Sequence, residues 1–111
     1  MNSVCFHPEA ESEMNDAAAW YETQQHNLGR RFLTSVQDAL NRIQVQPRLY
    51  PIVEGSIRRC LTKTFPFGVL FRITPGVIVI MAIMHLQREP DYWKNRKFVP
   101  DGPAKPTKPG S

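Results

Sequence analysis

Eight consecutive apolar residues, Val77 to Met84 (VIVIMAIM), constrain this chain more than any other segment. The run falls well short of the roughly 18 residues needed to cross a bilayer. Pro75-Gly76 just before it is a tight-turn pair, and the β-branched content predicts a strand from Val77 to about Leu86. A strand apolar on both faces belongs at the centre of a sheet with helices over one side. Its other face must also find a partner, so the rest of the chain has to supply neighbouring strands and a covering layer.

The neighbours follow from the change of pattern after Pro47. Residues 47–56 (PRLYPIVEGS) hold two prolines and a glycine and read as a loop. Beyond them, Ile57–Leu61 and about Gly68–Thr74 read as strands, the second forming a hairpin with the apolar run through Pro75-Gly76. Before the loop the period is helical. Pro8 suits a first helical position, Glu9 and Glu11 complement the helix dipole, and Ala10, Met14, Ala17, Ala18 and Tyr21 share one stripe. Asn27 and Gly29 are read as the left-handed residues that end this helix. A second helix, about Arg30 to Gln46, repeats the period through Phe32, Leu33, Val36, Ala39, Leu40 and Ile43 until Pro47. Ser3–His7, stopped by Pro8, reads as a short first strand. The expected fold class is α+β, in the order βααβββ: an antiparallel sheet packed against an N-terminal helical hairpin. A single domain spans residues 1–98, Pro90–Arg96 forms one further turn, and residues 99–111 (VPDGPAKPTKPGS from Val99) make a flexible tail rich in Pro, Lys and Gly.

Charge divides the chain. Residues 1–29 carry five acids (Glu9, Glu11, Glu13, Asp16, Glu22) and no Lys or Arg, whereas all 14 Lys and Arg lie in residues 30–111. The later elements therefore either present a positive surface to phosphates or an acidic protein, or simply solvate the sheet edge. Two cysteines, Cys5 and Cys60, are too few for a disulfide framework and read as small buried apolar residues. His7, His26 and His85 are scattered, so neither a metal nor an organic cofactor is expected. The opening MNSVCFHPEAESE has no basic stretch and no apolar core of a signal peptide, which gives a cytoplasmic expectation with no membrane partner.

Four runs carry a family resemblance. Pro8 to Tyr21, ending in AAAWYE, resembles the first helix of the RelE/ParE superfamily of type II toxin–antitoxin toxins; LGRRFLTSVQDALNRIQVQPRLYP, from Leu28, resembles the second helix and its exit loop. IRRCLTKTFPFGVLFRI, from Ile57, is similar to the paired-arginine strand and Phe-Pro-aromatic entry of that superfamily. HLQREPDYWKNR, from His85, resembles a pattern of its ParE-like, plasmid-stabilisation branch. The resemblance implies a growth-inhibiting toxin, neutralised by a cognate antitoxin that lays an amphipathic segment on it. Its target would be DNA gyrase in the ParE-like branch, ribosome-bound mRNA if the protein is a RelE-like endoribonuclease, and nothing at all in an inactive antitoxin-binding member.

Each reading names its residues. RNA cleavage needs an acid or base and cations around a phosphate, for which His85, Arg59, Arg72 and Arg88 are the candidates. Target binding through a surface points to Arg58, Lys63, Tyr92, Trp93 and Arg96. Arg58 and Arg59 are adjacent on a strand and must face opposite ways; Arg59 shares its face with Ile57 and Leu61 and is placed in an ion pair, whereas Arg58 is placed towards solvent. Trp93 and Pro90 have an equally simple reading as a clasp for the C-terminal turn. The chain departs from the ribonuclease pattern in offering only Lys63 where a close lysine pair is expected, and no glutamate base among the strands.

Overall fold

The computed structural model describes residues 2–88 and 91–97; Pro90 and the expected tail, residues 99–111, lie outside the described residues. The elements run β1 (Ser3–Phe6), α1 (Pro8–Gln24), α2 (Leu28–Val45), a 3-10 turn (Pro47–Leu49), β2 (Ile52–Glu54), β3 (Ile57–Leu61), β4 (Phe67–Thr74) and β5 (Val77–His85). The α+β arrangement of a helical hairpin followed by strands is the one the two periodicities predict. The sheet is five-stranded, in the order β1-β5-β4-β3-β2.

Two features were hidden in the sequence. The strand β2 forms within the stretch expected as loop, pairing antiparallel with β3 through an irregular register. All three of its residues are exposed, so it has no buried face whose alternation would mark it. The sheet is also mixed, because β1 lies parallel to β5, Ser3 opposite Val77 and Phe6 opposite Ile80. Periodicity identifies a strand but not its neighbour.

The two helices cover one face. Ala10 and Ala18 of α1 and Phe32, Val36, Ala39 and Ile43 of α2 pack on Cys60, Val69, Phe71, Ile78 and Ile80. Complete burial of a large apolar side chain such as Phe32 or Ile43 stabilises the fold by roughly 1.5–3 kcal/mol. At one end Tyr21, Phe32, Phe65 and Phe67 form an aromatic cluster whose close ring pairs have centroids 4.9 to 5.4 Å apart.

The open face of β5 is filled by the chain itself. A bulge opposite Leu70 and Phe71 inserts Met81 as an extra residue, so that Met81 and the next residue, Ala82, pack together on this side and Ile83 returns to the helices. Ile57, Leu70, Val79, Met81, Ala82 and Met84 meet Trp93, which is 5% exposed. Trp93 sits in the turn 91–95, closed by bonds from Lys94 N–H to Asp91 C=O and from Arg96 N–H to Trp93 C=O. The partner that an apolar strand face demands is thus an internal one, and residues 78–84 are all buried.

The helical hairpin has its own lock. Asn27 takes the left-handed backbone (φ 71°) as expected, but Gly29 lies inside α2 and serves a different purpose. A Cβ on Gly29 would stand 2.4 Å from the Ala18 carbonyl oxygen, so only glycine permits this approach of the helices. Glu22 closes the turn, accepting the N–H groups of Asn27 and Gly29, each at 3.0 Å. Gly29→Ala should lower the unfolding free energy by about 1–3 kcal/mol, measurable as a shifted urea midpoint.

His7 joins the two ends of the described chain. It caps α1, its Nδ1 accepting Glu9 N–H at 3.0 Å, and it also hydrogen-bonds the Lys97 backbone. Burial, helped by the nearby Arg96 charge, lowers its pKa below 6.5. The folded state therefore holds the imidazole neutral more strongly than the unfolded chain does. The stability from this group is complete above about pH 6.5 and is lost as pH falls from there through the lowered folded value. Urea titrations at pH 7 and pH 5 should show a loss in the parent that is smaller in His7→Asn.

Candidate functional site

Geometry at the edge of β5 decides where several of the sequence candidates go. The short β1 ends at Phe6, so the second half of β5 has no strand on that side. Glu13 of α1 and Arg96 of the C-terminal turn take its place. Arg96 forks onto Glu13, Nη1 to Oε1 at 3.0 Å and Nη2 to Oε2 at 2.7 Å, while Nη1 also donates to Met81 C=O at 2.9 Å. Glu13 Oε1 accepts the N–H of Ile83 at 3.0 Å. Arg96 Nε lies 3.3 Å from Glu9 Oε1, within ion-pair range but without hydrogen-bond alignment. The pair thus meets two backbone groups that β1 would otherwise have paired.

Residues proposed for target contact are drawn into this structure. The Arg96 side chain is 8% exposed. Tyr92 lies under Arg88, whose guanidinium carbon is 3.9 Å from the ring centroid, with Arg96 at 5.1 Å. Burial, and then a hydrogen bond to Glu13, push the Tyr92 phenol well above its usual range. Trp93 is core. Lys94 ties the turn to β2, 3.6 Å from Glu54 and 3.8 Å from Asp91.

The paired arginines diverge as strand geometry requires, but with different partners from those expected. Arg58 is not turned to solvent: opposite Phe71 in register, on the helix face, it donates to the carbonyls of Arg48 (3.1 Å) and Tyr50 (2.7 Å) and so anchors the exit of α2. Arg59 stands opposite Leu70 on the open face, its stem against Gly68, and makes no ion pair among the described residues. Arg72, opposite Ile57, shares that face. It is five residues along β4 from Phe67, roughly 17 Å at strand rise.

His85 lies on the other side of the sheet. It pairs with Phe67, packs edge-on against that ring at 5.1 Å, and its Nδ1 accepts Gln87 N–H at 3.1 Å. With Ala17, Trp20, Tyr21 and Phe67 it lines a cavity of about 490 Å³. Trp20, 59% exposed, is the part of this aromatic cavity that sequence reading overlooked: it falls just off the buried stripe of α1. Glu13 was overlooked as well, being one acid among five until the fold places it on β5. Lys63, the remaining candidate, is exposed in the β3–β4 connection. The sheet thus lies between His85 and the Arg59–Arg72 pair.

Cys60 is buried, and burial raises its thiol pKa even though Arg42 opposes the shift. That environment suits a small packing residue more than a nucleophile. No helix among the described residues is long and apolar enough to cross a membrane.

Helical hairpin, mixed sheet and C-terminal clasp together define a small α+β protein. The family model described as ParE toxin of type II toxin–antitoxin system, parDE, matches residues 4–90. The chain belongs to that family. No curated protein matches it. Among solved structures it is similar to a chain of the chromosomal ParDE toxin–antitoxin system from P. aeruginosa, with a TM-score of 0.58 and 18% sequence identity. That match covers 78% of this chain and 98% of the other and shows a shared fold.

Truncating the fork should be costly, because it leaves a carboxylate and a strand carbonyl buried without their cation. Arg96→Ala is expected to destabilise the chain by about 3–5 kcal/mol, and chemical denaturation measures it. Much of the loss should already be present in Glu13→Ala, with the double variant well short of the sum.

Proposed function

We propose that the protein is a growth-inhibiting toxin that acts on DNA gyrase through a binding surface, without cutting RNA, and that a cognate antitoxin neutralises it. One observation carries the choice between the two modes: His85 and the cations Arg59 and Arg72 lie on opposite faces of the sheet. In-line cleavage of RNA needs an acid or base and the phosphate-binding cations around one reacting group. Residues separated by a sheet do not meet that condition. A binding toxin needs only a surface, and membership of the ParE toxin family favours that mode.

Antitoxin capture has its own support. Val45, Leu49, Ile52 and Leu61 are exposed large apolar residues around the exit of α2 and the β2–β3 edge, and Trp20 is another on α1. A partner segment with apolar side chains gains by covering such residues, and acidic side chains would complement the basic later half.

Purified gyrase and translating ribosomes, assayed in parallel, provide the test. The expected result is inhibition of gyrase supercoiling with mRNA left intact, unchanged in His85→Ala, and growth arrest on expression that is relieved by the antitoxin. Site-specific mRNA cuts in ribosomes, lost on His85→Ala or Arg72→Ala, would establish the endoribonuclease mode instead. Absence of any growth effect would point to an inert member of the fold.

A further inference from the structure

A second cavity, of about 470 Å³, opens between the first half of α2 and the β3–β4 connection. Arg30 and Arg31 line it from the first turn of α2, and Lys63 lines it from the connection, with Thr34, Ser35 and Thr64 between them. Of the cavities described, it alone is lined by more than one cation.

The connection is held in place to face the helix. Ser35 Oγ donates to Lys63 C=O at 2.5 Å, and Phe65 N–H donates to the same carbonyl at 2.8 Å. Thr62 Oγ1 donates to the carbonyls of Phe65 (2.8 Å) and Phe67 (3.2 Å). Between these anchors Thr64 is kept at φ 76°, a left-handed backbone that a β-branched residue adopts only under constraint. Lys63 and Thr64 are thereby fixed at the rim and not left on a mobile loop.

The charge of the cavity is positive. Its one acid, Asp38, is bound by Arg42 Nε at 3.0 Å, and Lys63 Nζ approaches it only to 3.9 Å. Arg30 and Arg31 make no ion pair among the described residues. The Glu22 carboxylate accepts the N–H groups of Asn27 and Gly29 at the start of α2 and offsets the helix dipole there, so the positive charge of the cleft rests on its three cationic side chains.

We propose that this cleft binds the phosphate backbone of a nucleic acid, without reading its bases. Guanidinium, ammonium and hydroxyl donors are the groups that phosphate oxygens accept from, and they position a duplex without carrying sequence information. An acidic protein segment would also seek exposed apolar anchors, yet none of Trp20, Val45, Leu49 or Ile52 lines this cleft, and its one apolar lining residue, Phe65, is buried in the core. The inference goes beyond the target assigned above and does not depend on it.

Fluorescence anisotropy of a labelled, mixed-sequence DNA duplex with the full chain, without gyrase, tests it. Affinity should fall as salt rises, with a log–log slope of about −2.7 if three phosphates are neutralised. Arg30→Gln/Arg31→Gln/Lys63→Gln should weaken binding about ten- to a hundredfold and flatten that slope; Arg48→Gln, an exposed cation outside the cleft, should leave both unchanged. If the triple variant does not fold by circular dichroism, Lys63→Gln alone should reduce the slope by about 0.9. Failure of the parent to bind, unchanged binding by folded variants, or displacement of the duplex by polyglutamate at equal charge concentration would overturn the proposal, the last by making the cleft a site for acidic protein.

Discussion

The Glu13–Arg96 fork on the bare half of β5 is the interaction on which the rest of the structure depends. A central strand has two faces and two edges to satisfy, and the chain covers them with different materials. The helical hairpin takes one face, β4 takes one edge, and β1 takes half of the other. What remains is the carbonyl of Met81, the N–H of Ile83 and the apolar side chains of the open face. The C-terminal turn resolves two of these, because Arg96 and Trp93 are only three residues apart: one reaches the edge at Met81 and the other the face, while Glu13, held by Arg96, accepts the N–H of Ile83. An unpaired buried backbone group costs about as much as a lost hydrogen bond, so the clasp belongs to the fold itself.

Seen this way, charge in this protein has two roles. Arg58, Arg96 and Lys94 hold pieces of chain together, and their sequence prominence reflects structure. Arg30, Arg31 and Arg59 make no ion pair among the described residues, and Lys63 reaches only Asp38, at 3.9 Å, which Arg42 already holds. The sheet divides them, with Arg59 on the open side and the others beside the helices. Arg59 thus stands on a different side of the sheet from the cleft that Arg30, Arg31 and Lys63 line.

Much of the architecture was legible in the residues because repeating burial leaves a repeating pattern. The i, i+4, i+7 stripes of the helices, the Pro8 start and the Pro75-Gly76 turn all correspond to observed elements. Illegible features were those set by distant contacts. Nothing local to Ser3–Phe6 says that it pairs with residues 77–80, and nothing in Ile52–Glu54 marks a strand that buries no side chain. Gly29 was misread for the same reason: its requirement comes from the Ala18 carbonyl on another helix, not from its own dihedral angles. For the site, the residue types were visible but their sides of the sheet were not. His85 and Arg72 looked compatible in a list; β4 and β5 separate them.

The parallel pairing of β1 has a consequence for biosynthesis. Its partner lies 74 residues later in the chain, and the Glu13–Arg96 contact closes a loop of 83 residues. Contacts so remote make closure the slow part of folding. During translation the helical hairpin emerges first with no sheet to lie on, and the N-terminal strand waits until nearly all the described chain has left the ribosomal tunnel. The N-terminal strand and the Glu13–Arg96 fork therefore close only after residues 77–96 have emerged, an interval in which the apolar faces of both helices stand uncovered.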